Sequence, residues 1–61
     1  MDRVEKLSIT RSTTQTVVKL VVTEGGVTVS YSIKTYEHAM EDSIRNARKG
    51  CDRYLEIARR A

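Results

Sequence analysis

The sequence predicts an α+β fold: a three-stranded antiparallel β-meander followed by one long C-terminal α-helix packed on its inner face. Three observations carry that prediction. From Val4 to Thr35 the chain is rich in Val, Ile, Thr and Ser and alternates apolar with polar residues. From Tyr36 onward it is rich in Ala, Glu and Arg, and its apolar residues recur about every 3.6 positions. Between these regions, and throughout, there is no proline, low-complexity run or repeat, so positions 1–61 read as one domain.

The hairpin is fixed by Gly25-Gly26, which as the two-residue loop of a primed turn supply the positive φ that turn requires. This placement pairs Val22 with Val29, Leu20 with Tyr31 and Val18 with Ile33, all on one face. A one-residue slip would scatter these side chains over both faces, so the apolar pattern itself sets the register. The strands are expected at about 15–24 and 27–34. Leu7 and Ile9 continue the alternation in a first strand, about 4–11, which the turn-like Ser12-Thr13-Thr14 ends.

The helix is expected over about 36–60, with Thr35 as N-cap, Glu37, Glu41 and Asp42 early, and Arg59 and Arg60 late, an order that complements the helix dipole. Tyr36, Met40, Ile44, Ala47, Cys51, Tyr54, Leu55 and Ala58 form one stripe, flanked by Ala39, Ser43 and Gly50. About 25 helical residues span roughly 37 Å, more than the roughly 26–30 Å of eight or nine strand residues. Either the chain stops or bends at Gly50, or the helix end packs on a second copy. Because the apolar phase runs through Gly50 unbroken, the expectation is a continuous helix and a homodimer, with Cys51, Tyr54, Leu55, Ile57 and Ala58 at the interface.

Size points the same way. A chain of 61 residues buries only about 60% of its unfolded surface. Cys51 is its one cysteine and His38 its one histidine, so neither an intramolecular disulfide nor a Cys/His zinc site is expected, and oligomerisation is the remaining way to stabilise so small a core. No cofactor is expected. The longest aliphatic runs, Val17-Val18 and Val21-Val22, are too short to span a membrane. The first residues have no apolar segment of the signal-peptide kind. A lone thiol suits a reducing compartment, so the expected setting is cytoplasmic.

Function is argued from charge. Eleven Lys+Arg against eight Asp+Glu give a net charge of +3, a balance that points to a polyanionic partner. The positions alternating away from the core hold Lys6, Ser8 and Thr10; Val17, Lys19, Val21 and Thr23; and Thr28, Ser30, Ser32 and Lys34, with three lysines and no carboxylate. Ammonium and hydroxyl groups are donors suited to phosphate oxygens. Tyr31, Tyr36 and Tyr54 are all placed at core or interface positions, so no aromatic is expected on this face, which argues against stacked bases. A second basic surface is Arg45, Arg48, Lys49 and Arg53 on the helix, partly offset by Glu41/Arg45, Arg48/Asp52 and Glu56/Arg60 pairs at i,i+4 spacing. His38 and its acidic neighbours read as a solvated first turn, and Cys51 as a packed side chain.

The function expected from these residues is a small basic nucleic-acid-binding protein, a regulator or architectural factor. Its phosphate contacts would come from Lys6, Lys19, Lys34, Ser30 and Ser32, with Arg45, Arg48, Lys49 and Arg53. The alternative is a protein-interaction module, an inhibitor or adaptor, that binds a partner protein through a sheet edge or the helix overhang. An enzyme is not expected, because the sequence offers no nucleophile with an activating base and no metal set.

Overall fold

A computed structural model describes residues 2–60. Three antiparallel strands, β1 (Arg3–Arg11), β2 (Thr16–Glu24) and β3 (Val27–Thr35), form one sheet in the order β1-β2-β3. A 3₁₀ turn at Glu37–Ala39 leads into α1 (Met40–Arg60), which packs across the inner face of the sheet. The βββα arrangement is the one the sequence pattern predicts.

The glycines of the hairpin adopt φ of 58° at Gly25 and 81° at Gly26, the left-handed conformations of a primed turn. The register that follows, Val22↔Val29, Leu20↔Tyr31 and Val18↔Ile33, is the predicted one. β1 pairs with β2 so that Leu7 lies beside Leu20 and Ile9 beside Val18. Ser12 closes the β1–β2 turn, its backbone N–H and hydroxyl both donating to the Gln15 carbonyl at 2.9 Å.

The core is the seam between β2 and the helix. Leu20 and Val22 meet Ala47, Cys51 and Leu55, all at most 2% exposed, with Val27, Val29, Tyr31 and Ile33 packed around them, and Val18 is likewise fully buried. The helical side of the seam is Ser43, Ala47, Cys51 and Leu55, spaced i,i+4, which is the innermost row of the wider predicted stripe. Small residues at the first two positions let the helix approach the sheet closely.

Gly50 does not stop the helix, and the reason is tertiary. A Cβ at this position would lie 2.4 Å from Cδ2 of the Tyr31 ring. Glycine leaves the space that the ring fills, and the ring in turn covers the backbone that glycine exposes.

Three expectations need correction. Thr35 is not the N-cap. It ends β3 as a buried residue whose Oγ1 lies 2.7 Å from the Ser43 hydroxyl, which also donates to the Ala39 carbonyl at 2.9 Å. The helix therefore opens through the 3₁₀ turn after Tyr36, which has extended φ and ψ of −117° and 159° and no side-chain cap. Second, the α-helix has 21 residues, about 31 Å, and the nine-residue strands span about 30 Å. Arg59 pairs with Glu24, beside the hairpin turn, so the last described helical turn lies over its own sheet and not beyond it. Third, Cys51 and Leu55 are buried in this protomer's own core and present no surface to a partner, whereas Tyr54 and Ile57 remain 43% and 57% exposed and Ala58 is also exposed.

Candidate nucleic-acid interface

The outer face of the sheet is built by strand alternation alone. Once Val18, Leu20 and Val22 turn inward, the pleat obliges Val17, Lys19, Val21 and Thr23 to turn outward. The register then arranges the face in rows across the strands: Val4–Thr23–Thr28, Lys6–Val21–Ser30, Ser8–Lys19–Ser32 and Thr10–Val17–Lys34. Lys6, Lys19 and Lys34 thus fall on a diagonal, one lysine to each strand. Neighbouring strands are about 4.8 Å apart and alternate residues about 6.8 Å along a strand, so successive lysine Cα atoms are about 8 Å apart. Among the described residues no other element covers this face. Its lysines, Ser8, Thr10, Thr28, Ser30 and Ser32 are exposed, and Val17, Val21 and Thr23 are half-buried by their neighbours. The Thr23 and Thr28 hydroxyls share a hydrogen bond of 3.0 Å across the hairpin.

On the other side of the sheet the charges are engaged with one another. Arg3 reaches Asp52 at 2.8 Å, Glu5 at 3.0 Å and Glu24 at 3.3 Å; Arg48 reaches Glu5 at 3.1 Å; Arg11 pairs with Glu37 and Arg59 with Glu24. These contacts tie β1, which the helix does not cover, to the helix and its leading turn. The hydrogen bond from Arg48 holds the Glu5 carboxyl below its ordinary range, and that from Arg59 does the same for Glu24, with Arg3 contributing to both. The Arg3 guanidinium is stabilised in its charged form, chiefly by Asp52. Burial pushes the Cys51 thiol up, and the thiol donates to the Leu20 carbonyl at 3.7 Å, which makes it a packed, unreactive group.

The helical basic residues do not form one surface. Arg48 tips toward β1 and Glu5, and Arg45 pairs with Asp42 at 3.5 Å, not with Glu41; Asp52 goes to Arg3, not to Arg48. The expected Glu56/Arg60 pair forms, at 2.6 Å. Lys49 and Arg53 tip the other way, into a groove of about 280 Å³ that they line with Tyr31, Asn46, Gly50 and Tyr54 at the β3 edge. The sequence spacing could not reveal this division, because it depends on which side of the helix β1 lies.

Among the described residues, Lys6, Lys19 and Lys34 make no ion pair within 4.0 Å. Lys49 and Arg53, at the β3 edge, likewise make none, whereas Arg3, Arg11, Arg45, Arg48, Arg59 and Arg60 each meet a carboxylate.

Tyr36 departs from the core position that the apolar stripe predicts for it. Tyr36 is 63% exposed and not in the core, because it belongs to the extended junction and not to the first helical turn. It continues the outward parity of Ser32 and Lys34, stacks on His38 with ring centroids 5.8 Å apart, and lines a shallow depression of about 90 Å³ with Thr14, Gln15, Lys34 and Thr35. The signal that could have located it was the parity itself, carried one residue past Thr35.

Among the described residues, no cluster of three or more His, Cys, Asp or Glu side chains is placed to hold a metal ion, and no helix is long and apolar enough to cross a membrane. Comparison of the chain with protein-family models, curated proteins and solved structures finds no match.

Proposed function

We propose that this protein binds nucleic acid through the outer face of its sheet, with Lys6, Lys19 and Lys34 contacting phosphates and Ser30, Ser32 and neighbouring hydroxyls adding hydrogen bonds. The observation that carries this reading is the segregation of charge. The arginines that β1 and the helix direct at one another are engaged with carboxylates, while among the described residues the outer lysines have no ion-pair partner and lie on an open surface. An unpaired cation on a flexible stem loses little on meeting a phosphate, whereas a paired arginine must first leave its carboxylate. Lys49 and Arg53 are a secondary contact at the β3 edge. Arg45 and Arg48 contribute less, because Asp42 and Glu5 already hold them.

Tyr36 adds a stacking surface at the corner of the lysine face, beside Lys34. A single strand lying along the diagonal can stack one base there while its phosphates follow the lysines.

Fluorescence anisotropy of labelled single-stranded and duplex DNA and RNA tests the reading. If three phosphates are neutralised on duplex DNA, the slope of log affinity against log salt is about −2.7, a loss of roughly 40-fold between about 50 and 200 mM salt. Lys19→Glu with Lys34→Glu should abolish this binding and leave the circular dichroism spectrum unchanged. Tyr36→Ala should weaken single-strand binding several-fold more than duplex binding. Absence of binding at the lower salt, or full binding by the double lysine variant, removes the outer face from consideration.

A further inference from the structure

The β1 edge of the sheet differs from the β3 edge in being open on its inner side. The helix lies over β2 and β3, so Leu7, which faces inward, is still 46% exposed, and Ile9 is only half-buried. The Glu24–Val27 pair closes a two-residue turn and so exchanges both backbone hydrogen bonds. Alternation from that pair directs the backbone groups of Ser8 and the other even-numbered residues of β1 toward β2. The N–H and C=O groups of Arg3, Glu5, Leu7, Ile9 and Arg11 then point to the free edge. β1 has no proline and no bulge to blunt that edge.

We propose that β1 pairs antiparallel with β1 of a second copy, centred on Ser8. The choice of register follows from the residues. With Ser8 facing Ser8 of the other copy, Leu7 meets the other Ile9 and Glu5 meets the other Arg11, twice each by symmetry. Glu5 already accepts from Arg3 and Arg48, and Arg11 already pairs with Glu37, so each cross-copy charge pair extends an existing network and does not join two free charges. The hydrogen-bonding groups of the odd-numbered residues fall opposite one another, as a ladder requires. Centring on Leu7 instead would place Arg3 against Arg11 and Glu5 against Ile9. Centring on Lys6 would face two lysines across the axis, and centring on Ile9 would set Leu7 against Arg11. Only the Ser8 register matches apolar with apolar and acid with base, the cross-strand pairs that stabilise sheets.

The symmetry axis is perpendicular to the sheet, so inner face joins inner face and outer joins outer. The two sheets become one of six strands whose outer side carries both sets of lysines in a single band. The pairing stands on the edge geometry and does not depend on what the outer face binds.

Ser8 and its symmetry mate form a non-hydrogen-bonded pair, with Cα atoms about 4.5 Å apart, within the range a disulfide spans. Mild oxidation of Ser8→Cys should therefore give a covalent dimer on a non-reducing gel, while unmodified protein, with Cys51 buried, gives none. Lys6→Cys and Thr10→Cys should each fail alone and cross-link when mixed, because Lys6 faces Thr10 of the other copy in this register. Light scattering over a dilution series should show a dimer for the unmodified protein. Arg11→Glu, which opposes Glu5 of the other copy at both symmetric sites, should raise the dimer dissociation constant about tenfold. A monomer at every concentration, self-linking of Lys6→Cys or Thr10→Cys, no linkage of Ser8→Cys, or no effect of Arg11→Glu would each overturn the proposal.

Discussion

The two faces of the sheet treat charge and apolar surface in opposite ways. On the inner face, Arg3, Arg11, Arg48 and Arg59 each meet a carboxylate from another element, and Val18, Leu20 and Val22 are excluded from water. On the outer face, lysines stand alone and Val17 and Val21 are only half-buried. The choice of cation fits the division, since a guanidinium makes several directed hydrogen bonds to carboxylates and an ammonium stays free and hydrated. The inner face holds the fold together, and the outer face is left available. Changes of the same kind should therefore have different effects on the two sides.

The largest difference is expected from one substitution made at adjacent positions of β2. Val22→Thr places a hydroxyl at a site with no water and should cost about 1–3 kcal/mol. Val21→Thr, on the outer face, should stay within about 0.5 kcal/mol. Urea unfolding of both variants measures this, and equal shifts would mean that the two faces are not distinct in stability.

The contact between Gly50 and Tyr31 sharpens the comparison from the helical side. Gly50→Ala gains about 1 kcal/mol in helix propensity, but its methyl group enters the ring and overpacking costs about 1–3 kcal/mol, so the net outcome should be a loss of up to about 2 kcal/mol. In a Tyr31→Ala background the clash is gone, and the same Gly50→Ala change should become stabilising. A change of sign between the two backgrounds is the expected result. The same sign in both would place the reason for glycine elsewhere.

The smallest expected effect is a pH dependence confined to the inner face. Glu5 and Glu24 have carboxyls held below their ordinary value of 4.5 in the folded chain, so the unfolded chain takes up protons first as pH falls. Their contribution is complete above the ordinary carboxylate value and is lost as pH drops below it toward the depressed values. Because these groups are on the surface, the effect is modest. The urea midpoint should be level from pH 7 to about 5 and decline below about 4.5, and Glu24→Gln should flatten part of that decline. A decline unaltered by Glu24→Gln would assign it to other groups.

Much of the lysine face was legible in the sequence because strand periodicity is two and the double-glycine turn fixes the register. Together these decide every inward and outward position in the hairpin. Tyr36 was not legible, since whether it enters the helix depends on Thr35 being held by Ser43, eight residues away. Nor were the ion pairs of Arg48 and Asp52: spacing along a helix identifies local partners, but Glu5 and Arg3, brought alongside by β1, compete with them and prevail. Arg45 keeps a local partner, taking Asp42 at i,i+3 in place of Glu41 at i,i+4.

The sequence by itself determined the element order, the hairpin register and the separation of an apolar face from a basic one, because each follows from local periodicity and turn chemistry. Only the tertiary structure decided that the Tyr31 ring fills the space at Gly50, that the last described helical turn lies over its own sheet, and that the helix covers β2 and β3 while leaving β1 half-open. Those outcomes depend on how a tyrosine ring, a row of small helical residues and a set of arginines fit together across elements, and contacts of that kind have no fixed spacing along the chain.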